Sequence, residues 1–208
     1  MSSVEQAYNE WAKTYDVVEN KTRDLDKIAM QQTLSHFSFS NVLELGCGTG
    51  KNTEWLATKF TSITSVDFSV EMIAKAKEKI KENNVRFLQF DITNPWRFEK
   101  DYELITCNLI LEHIKDLGFI FSEASKVLKE KGKFFISELH PFKQYTGSKA
   151  RFEKDNETII LDCYTHHTSD FFNAAFAAGF ECIELKEWFD NDSEREIPRL
   201  ITFLFQKK

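Results

Sequence analysis

Glycine is scarce in this 208-residue chain: there are seven, with three prolines and four cysteines. The cysteines stand at 47, 107, 163 and 182 and form no Cys-x-x-Cys pair. That excludes a redox pair and a zinc-finger spacing, and reduced thiols are expected. Long apolar runs are missing too. The longest one free of charge, Phe171 to Phe180, has ten residues, whereas a membrane-spanning helix needs about 18 or more. The opening MSSVEQAYNEW lacks the basic and apolar regions of a secretory leader, so a cytoplasmic location is expected. Basic residues are outnumbered 27 to 33, for a net charge of −6. That argues against a nucleic-acid-binding surface, which usually shows a basic excess. Aromatic residues are plentiful instead. Twenty Phe and four Trp supply enough apolar surface to exclude disorder, and the length suits a single domain.

The glycines are not spread evenly. Gly46, Gly48 and Gly50 fall within five residues of one another. Glycine is needed where φ is positive or where a ligand approaches the backbone closely. Around them, helix and strand signals alternate. Helices are predicted over 3–16, 23–36 (with Leu25, Ile28 and Ala29 as an apolar stripe), 51–59 and 70–82 (apolar at 70, 73, 76 and 80). A further helix should start at Asp116 and stop at Gly132. Strands are predicted over 41–45, 63–67, 85–90, 102–107 and 133–139. Beyond residue 140 the alternation breaks. A hairpin turning at Asp155-Asn156 is expected, then a helix over 169–178, in which Phe171, Phe172 and Phe176 are core, and two strands over 180–189 and 200–205. The pattern predicts an α/β fold, a doubly wound, seven-stranded and mostly parallel sheet with helices on both faces. In such sheets the ligand sits beyond the carboxyl ends of the strands.

The segment Val42-Leu-Glu-Leu-Gly-Cys-Gly-Thr-Gly50 is a strand running into a glycine-rich turn and a helix. Asp67, 17 residues beyond Gly50, ends the next strand. An acid there can accept hydrogen bonds from both hydroxyls of a ribose. The glycine spacing is G-x-G-x-G, which fails the dinucleotide pattern G-x-G-x-x-G. Leu45 and Asn52 fail the phosphate-loop pattern G-x-x-x-x-G-K-[ST]. A nucleoside without phosphates remains. Glu44 fits that reading, because its carboxylate would repel a pyrophosphate but tolerate a sulfonium cation.

With these motifs in place, the chain resembles the class I S-adenosylmethionine-dependent methyltransferases, in their small-molecule branch. Glu44-Leu-Gly-Cys-Gly-Thr-Gly50 is similar to the family's first motif and Ser65-Val-Asp67-Phe-Ser to its ribose-binding strand. Phe90-Asp91-Ile92 resembles the segment that meets the adenine. Leu104-Ile-Thr-Cys-Asn108, followed by Leu-Ile-Leu-Glu112-His113-Ile, resembles the fourth motif. The opening Tyr8-Asn-Glu-Trp-Ala-Lys-Thr-Tyr15-Asp16 resembles a helix that lids the pocket. The fourth motif lacks the [DN]-P-P-[YF] of amino-group methyltransferases acting on adenine or glutamine. The resemblance implies S-adenosylmethionine as cofactor, held by Glu44, Gly46, Cys47, Gly48, Gly50, Asp67, Phe68, Met72, Asp91, Ile92, Asn108 and Leu109. It divides the single domain into lid helices (1–38), a cofactor-binding core (39–140), a substrate-side insertion (141–167) and a C-terminal helix and strands (168–208).

For the acceptor, the expectation is a small molecule, met by Trp11, Tyr145 and Tyr164, with Phe142 nearby. His140 is the first candidate for a base, and Tyr15 and His113 are the others. Asp67 and Asp91 could instead cap helix or loop starts. His140, His166 and His167 could be imagined as a metal site, but adjacent histidines point in different directions, and no metal is expected. The rival functions are a silent cofactor-binding partner subunit and a methyltransferase acting on protein or RNA. No membrane partner is expected, and the protein should be a monomer or homodimer.

Overall fold

The first strands are short apolar runs, each ending where polar or glycine residues begin: β1 (Asn41–Leu45), β2 (Ser62–Asp67), β3 (Val85–Gln89) and β4 (Tyr102–Asn108). A longer β5 (Leu128–Leu139) follows, then a short pair, β6 (Arg151–Lys154) and β7 (Glu157–Ile160). The chain closes with β8 (Phe180–Phe189) and β9 (Pro198–Lys207). The structure is a computed structural model that describes residues 3–12, 14–17, 19–98, 101–148, 151–154, 157–161, 163–191 and 196–208. Seven strands form one sheet in the order β3-β2-β1-β4-β5-β9-β8, and β6 and β7 pair separately. The first five are parallel, and β9 runs antiparallel to both β5 and β8. This is the predicted doubly wound sheet, with β9 inside it as its two-sided apolar sequence requires.

Among the described residues, seven α-helices accompany the strands. They are α1 (Ser3–Trp11), α2 (Lys21–Leu34), α3 (Thr53–Lys59), α4 (Val70–Lys79), α5 (Leu117–Val127), α6 (Pro141–Tyr145) and α7 (Thr168–Ala177). Successive strand residues face opposite sides, and the core divides accordingly. Leu43, Phe134 and Phe203 join α5 and α7 through Phe121 and Phe171. Val42, Phe135 and Leu204 join α2 and α3 through Met30, Leu34 and Leu56. Each buried large side chain contributes about 1.5–3 kcal/mol.

Several local expectations are corrected. Helix α5 ends at Val127 rather than at Gly132, because Leu128 already has the extended backbone of β5. The left-handed residue that follows is Lys131, at φ 62°. Gly132 serves a close approach instead: a Cβ there would meet the Lys129 carbonyl at 2.8 Å. Of the expected apolar positions, Ile28, Val70 and Phe176 are exposed, while Ala29 on α2 and Ile73 and Ala76 on α4 are buried as expected, joined by Met30 and Met72. The pairing of β6 with β7 matches the expected hairpin. Its turn, Asp155-Asn156, lies outside the described residues.

Candidate functional site

The carboxyl ends of β3, β2, β1 and β4 lie side by side, and the residues just beyond them line a cavity of about 270 Å3. At the end of β1 the chain turns through Gly46, Cys47 and Gly48, all lining residues. Gly48 has φ +52° and a Cβ there would meet nothing within 4 Å, so its missing side chain leaves open space. Gly50 differs. It does not line the cavity, and a Cβ there would strike the side chain of Ile80, the residue that ends α4, at 2.6 Å.

Asp67 ends β2 against this turn. Its Oδ2 accepts the Gly48 N–H at 2.8 Å and its Oδ1 accepts the Ser69 N–H at 2.9 Å. The carboxyl is thereby fixed in place, with one lone pair per oxygen still available. Burial pushes its pKa up to about 6, against the pull of the Ser69, Gly48 and Phe68 N–H groups. Glu44 lies under the turn, where its Oε2 accepts the Thr53 hydroxyl at 2.6 Å and the Ser65 hydroxyl at 2.7 Å. Burial raises its pKa to about 7. Both acids are buried, and among the described residues no basic side chain pairs with either.

Beyond β3, Asp91, Ile92 and Thr93 line the cavity. The Asp91 Oδ1 accepts the N–H and hydroxyl of Thr93 at 2.9 and 2.7 Å, so this acid does cap a turn. Beyond β4 come Asn108, Leu109 and Ile110. Leu109 takes φ 58°. From β5, the buried Glu138 accepts the Ile110 and Leu111 N–H groups at one oxygen, 3.0 and 2.8 Å away. Burial drives its pKa well up, with the nearby Glu112 adding to the rise.

Two groups from the N-terminal segment close the site. Asp26 of α2 lines the cavity, buried, and binds the Asn52 and Asn108 amides at 2.9 and 2.7 Å. It ties α2 to the start of α3 and the end of β4. One turn earlier, Arg23 donates to the Tyr15 carbonyl at 2.6 Å, with its guanidinium 4.1 Å from the centre of the Tyr15 ring. Helix α1 brings Val4 and Tyr8 to the cavity. The Tyr8 hydroxyl is hydrogen-bonded to His113 Nε2 at 3.0 Å, and burial pushes its pKa well up, so it stays protonated. Asn9 accepts the Ser69 hydroxyl at 2.6 Å, which fastens the helix to the start of α4.

Most of the expected residues therefore meet here: Glu44, Gly46, Cys47, Gly48, Asp67, Phe68, Asp91, Ile92, Asn108 and Leu109, with Tyr15 and His113. Others stand apart. Met72 is buried in the first turn of α4, where its N–H donates to the Ser69 hydroxyl. His140 caps α6, its Nδ1 accepting the Phe142 N–H at 3.1 Å and its Nε2 meeting Glu187 at 3.1 Å. Both ring nitrogens are engaged outside the cavity, so His140 does not reach the site as a base. Trp11 packs behind the wall, against Tyr8, Tyr15 and Leu161. Tyr145 is exposed, its hydroxyl bonded to His167, and Tyr164 is exposed as well. His166 is turned onto the Leu111 and Ile114 carbonyls, at 3.1 and 2.7 Å. Tyr8, Arg23, Asp26 and Ile110 line the cavity without having been singled out by sequence. The available signals were Tyr8, which opens the lid motif, and Ile110, which lies within the fourth.

Comparison with known proteins gives the chain's family and fold. A family model described as a methyltransferase domain matches residues 15–185. A malonyl-[acyl-carrier protein] O-methyltransferase of Priestia megaterium is 32% identical over 167 residues, which cover 78% of this chain and 56% of that protein. The chain thus spans little more than half the length of that curated relative. Among solved structures, the N-methyltransferase NodS of Bradyrhizobium japonicum, in complex with S-adenosyl-L-homocysteine, superposes with a TM-score of 0.75 at 15% identity, covering 99% of each chain. A methyltransferase of Clostridium acetobutylicum superposes at 0.70 and 20% identity, covering 99% of each. At such identities the structural likenesses establish the fold.

Proposed function

Because this chain belongs to the class I S-adenosylmethionine-dependent methyltransferases, we propose that it binds that cofactor in the cavity and transfers its methyl group to a small-molecule acceptor. Asp67 carries the reading. A buried carboxyl, fixed by two backbone N–H groups and with no cation beside it, is set to receive two hydroxyl protons from a ribose. Adjacent strands are about 4.8 Å apart, so the ends of β3, β2, β1 and β4 span roughly 14–15 Å. An adenine beside Asp91, a ribose on Asp67 and a sulfonium near the turn and β4 lie along that line in order. The amino-acid end, with its carboxylate and ammonium, meets Arg23 and Asp26, one turn apart on α2. Three buried acids, Glu44, Asp67 and Asp26, favour a cationic ligand over a pyrophosphate.

The chemistry is direct displacement at the sulfonium methyl carbon. The acceptor forms a bond to carbon while the carbon–sulfur bond breaks, and its electron pair stays on sulfur. The cofactor is already electrophilic, so the protein's task is to align nucleophile, carbon and sulfur and to exclude water. Such positioning supplies about 7–11 kcal/mol. Residues 1–38 act as the lid and 39–140 as the cofactor-binding core. Residues 141–167 flank the acceptor end, and 168–208 complete the sheet. Val4, Tyr8, Ile110 and Ile114 make an apolar wall there, and His113 is the titratable group that meets the acceptor. A wall of this kind suits a compact, partly apolar molecule. The test is incubation with methyl-labelled cofactor and a fractionated metabolite extract. Label should enter the small-molecule fraction. Label confined to protein or RNA, or none transferred, would contradict the reading.

A further inference from the structure

Three side chains that cofactor binding does not use meet beside the lid. Glu112 and His113 sit on the short turn Leu111–His113 after β4, and Cys163 comes from the segment after β7. Their donor atoms all lie within 4.8 Å of one another. The Tyr164 N–H donates to the Glu112 carbonyl at 2.7 Å, which seats the Cys163 segment on that turn. Two of the three are braced from outside: the Tyr8 hydroxyl holds His113 at 3.0 Å, and the Gln144 amide donates to Glu112 Oε2 at 3.2 Å. Metal ligands are oriented by outer partners of this kind. The group lies at the acceptor end, since His113 itself lines the cavity.

We propose that Glu112, His113 and Cys163 bind a divalent cation of borderline softness, Zn2+ fitting best, with an open position that takes an O–H or S–H group of the methyl acceptor. This rests on the methyl-transfer reading and extends it. A mixed sulfur, nitrogen and oxygen set selects zinc over magnesium or calcium. Three protein ligands with one open position are the arrangement of catalytic rather than structural zinc. Ligand atoms around tetrahedral zinc are separated by about 3.3–3.8 Å, so the trio must close by roughly 1 Å. Side-chain rotations on a short turn and an irregular segment provide that. The cation lowers the pKa of the acceptor's group, so no separate base is required. In the step, the acceptor's proton leaves to water and its oxygen or sulfur bonds to the methyl carbon. The carbon–sulfur bond of the cofactor breaks, leaving a neutral thioether.

The experiment titrates metal-freed, full-length protein with Zn2+ and, separately, with Co2+ as a spectroscopic probe. In parallel, calorimetry follows S-adenosylhomocysteine. One equivalent of Zn2+ should bind. Co2+ should show a thiolate charge-transfer band that Cys163→Ser removes, and His113→Ala should weaken Zn2+ binding at least tenfold. S-adenosylhomocysteine affinity should stay within about threefold in Cys163→Ser. Chelation should abolish methyl transfer, and Zn2+ should restore it. No stoichiometric metal uptake, or a Co2+ spectrum unchanged by Cys163→Ser, would overturn the proposal. Failure of the parent protein to bind S-adenosylhomocysteine would instead overturn the cofactor reading on which it rests.

Discussion

A carboxyl buried without a cation resists ionising, and Asp67 and Glu44 both do so: burial raises them from 3.8 to about 6 and from 4.5 to about 7. Acids raised on folding add stability below their unfolded values and lose it as pH rises through the folded ones. From these two groups, the ligand-free protein should therefore melt progressively lower from about pH 4 to pH 7, between their unfolded and folded values. Binding has the opposite sign, since ribose hydroxyls donate to the ionised Asp67. S-adenosylhomocysteine affinity, followed by calorimetry, should rise up to about tenfold per unit below pH 6 and level off above it. Asp67→Asn should flatten that rise, and a flat profile in the parent protein would count against the assignment. The glycines allow a second test. Gly48→Val puts a side chain into the cavity and should abolish cofactor binding, and because φ is +52° a β-branched residue is strained there, so the melting temperature should fall as well. Gly50→Ala strikes Ile80 away from the cavity and should lower the melting temperature with a smaller effect on binding. Sequence spacing pointed to Asp67 and the glycines because a strand followed by such a turn leaves few ways to fold. It did not point to Asp26, an acid buried beside Ala29 on a helix whose visible stripe was apolar. A buried carboxyl with two amide partners leaves no pattern in the chain, because Asn52 and Asn108 are 26 and 82 residues away.

Among the elements, α1 and the loop after β4 shape the acceptor end. Helix α1 is fastened by Tyr8 to His113, by Asn9 to Ser69, and by packing of Ala7 and Trp11 with Leu161. It contributes no strand, so the seven-stranded sheet should stay paired when it is removed. Deleting residues 2–15 should abolish turnover, leaving S-adenosylhomocysteine affinity within about tenfold. Tyr8→Phe should cut turnover more than it weakens binding. Steady-state rates beside calorimetry check both, and a deletion that methylates normally would remove α1 from the mechanism. The expectation of a lid came from the resemblance of the Tyr8 to Asp16 segment to a family motif, and which of its aromatics faces inward was not legible. The helix itself ends at Trp11, before Tyr15. The structure turns Tyr8 and Tyr15 to the cavity and Trp11 behind them. His140 misled for a related reason. It stands at the end of β5 just before Pro141, a place equally suited to a base and to a helix cap, and only tertiary contacts with Phe142 and Glu187 decide between them.

At the scale of the whole molecule, the alternating pattern carried the parallel half of the sheet, since strands buried on both faces read as short apolar runs. The site's position followed from that topology, at the carboxyl ends of β3, β2, β1 and β4. The C-terminal half was legible as elements but not as contacts: nothing in residues 141–167 signals that Cys163 returns to Glu112 and His113. Among the described residues no helix is long and apolar enough to cross a membrane. The account depends on one ligand lying across four strand ends with its ribose on Asp67, and calorimetry of S-adenosylhomocysteine with the parent protein and Asp67→Ala tests this most directly. The account predicts one site per chain, weakened by about 2–4 kcal/mol in the variant, or roughly 30- to 800-fold, for the loss of two charge-assisted hydrogen bonds partly recovered by water. No binding by the parent protein, or equal affinity in the two, would contradict it.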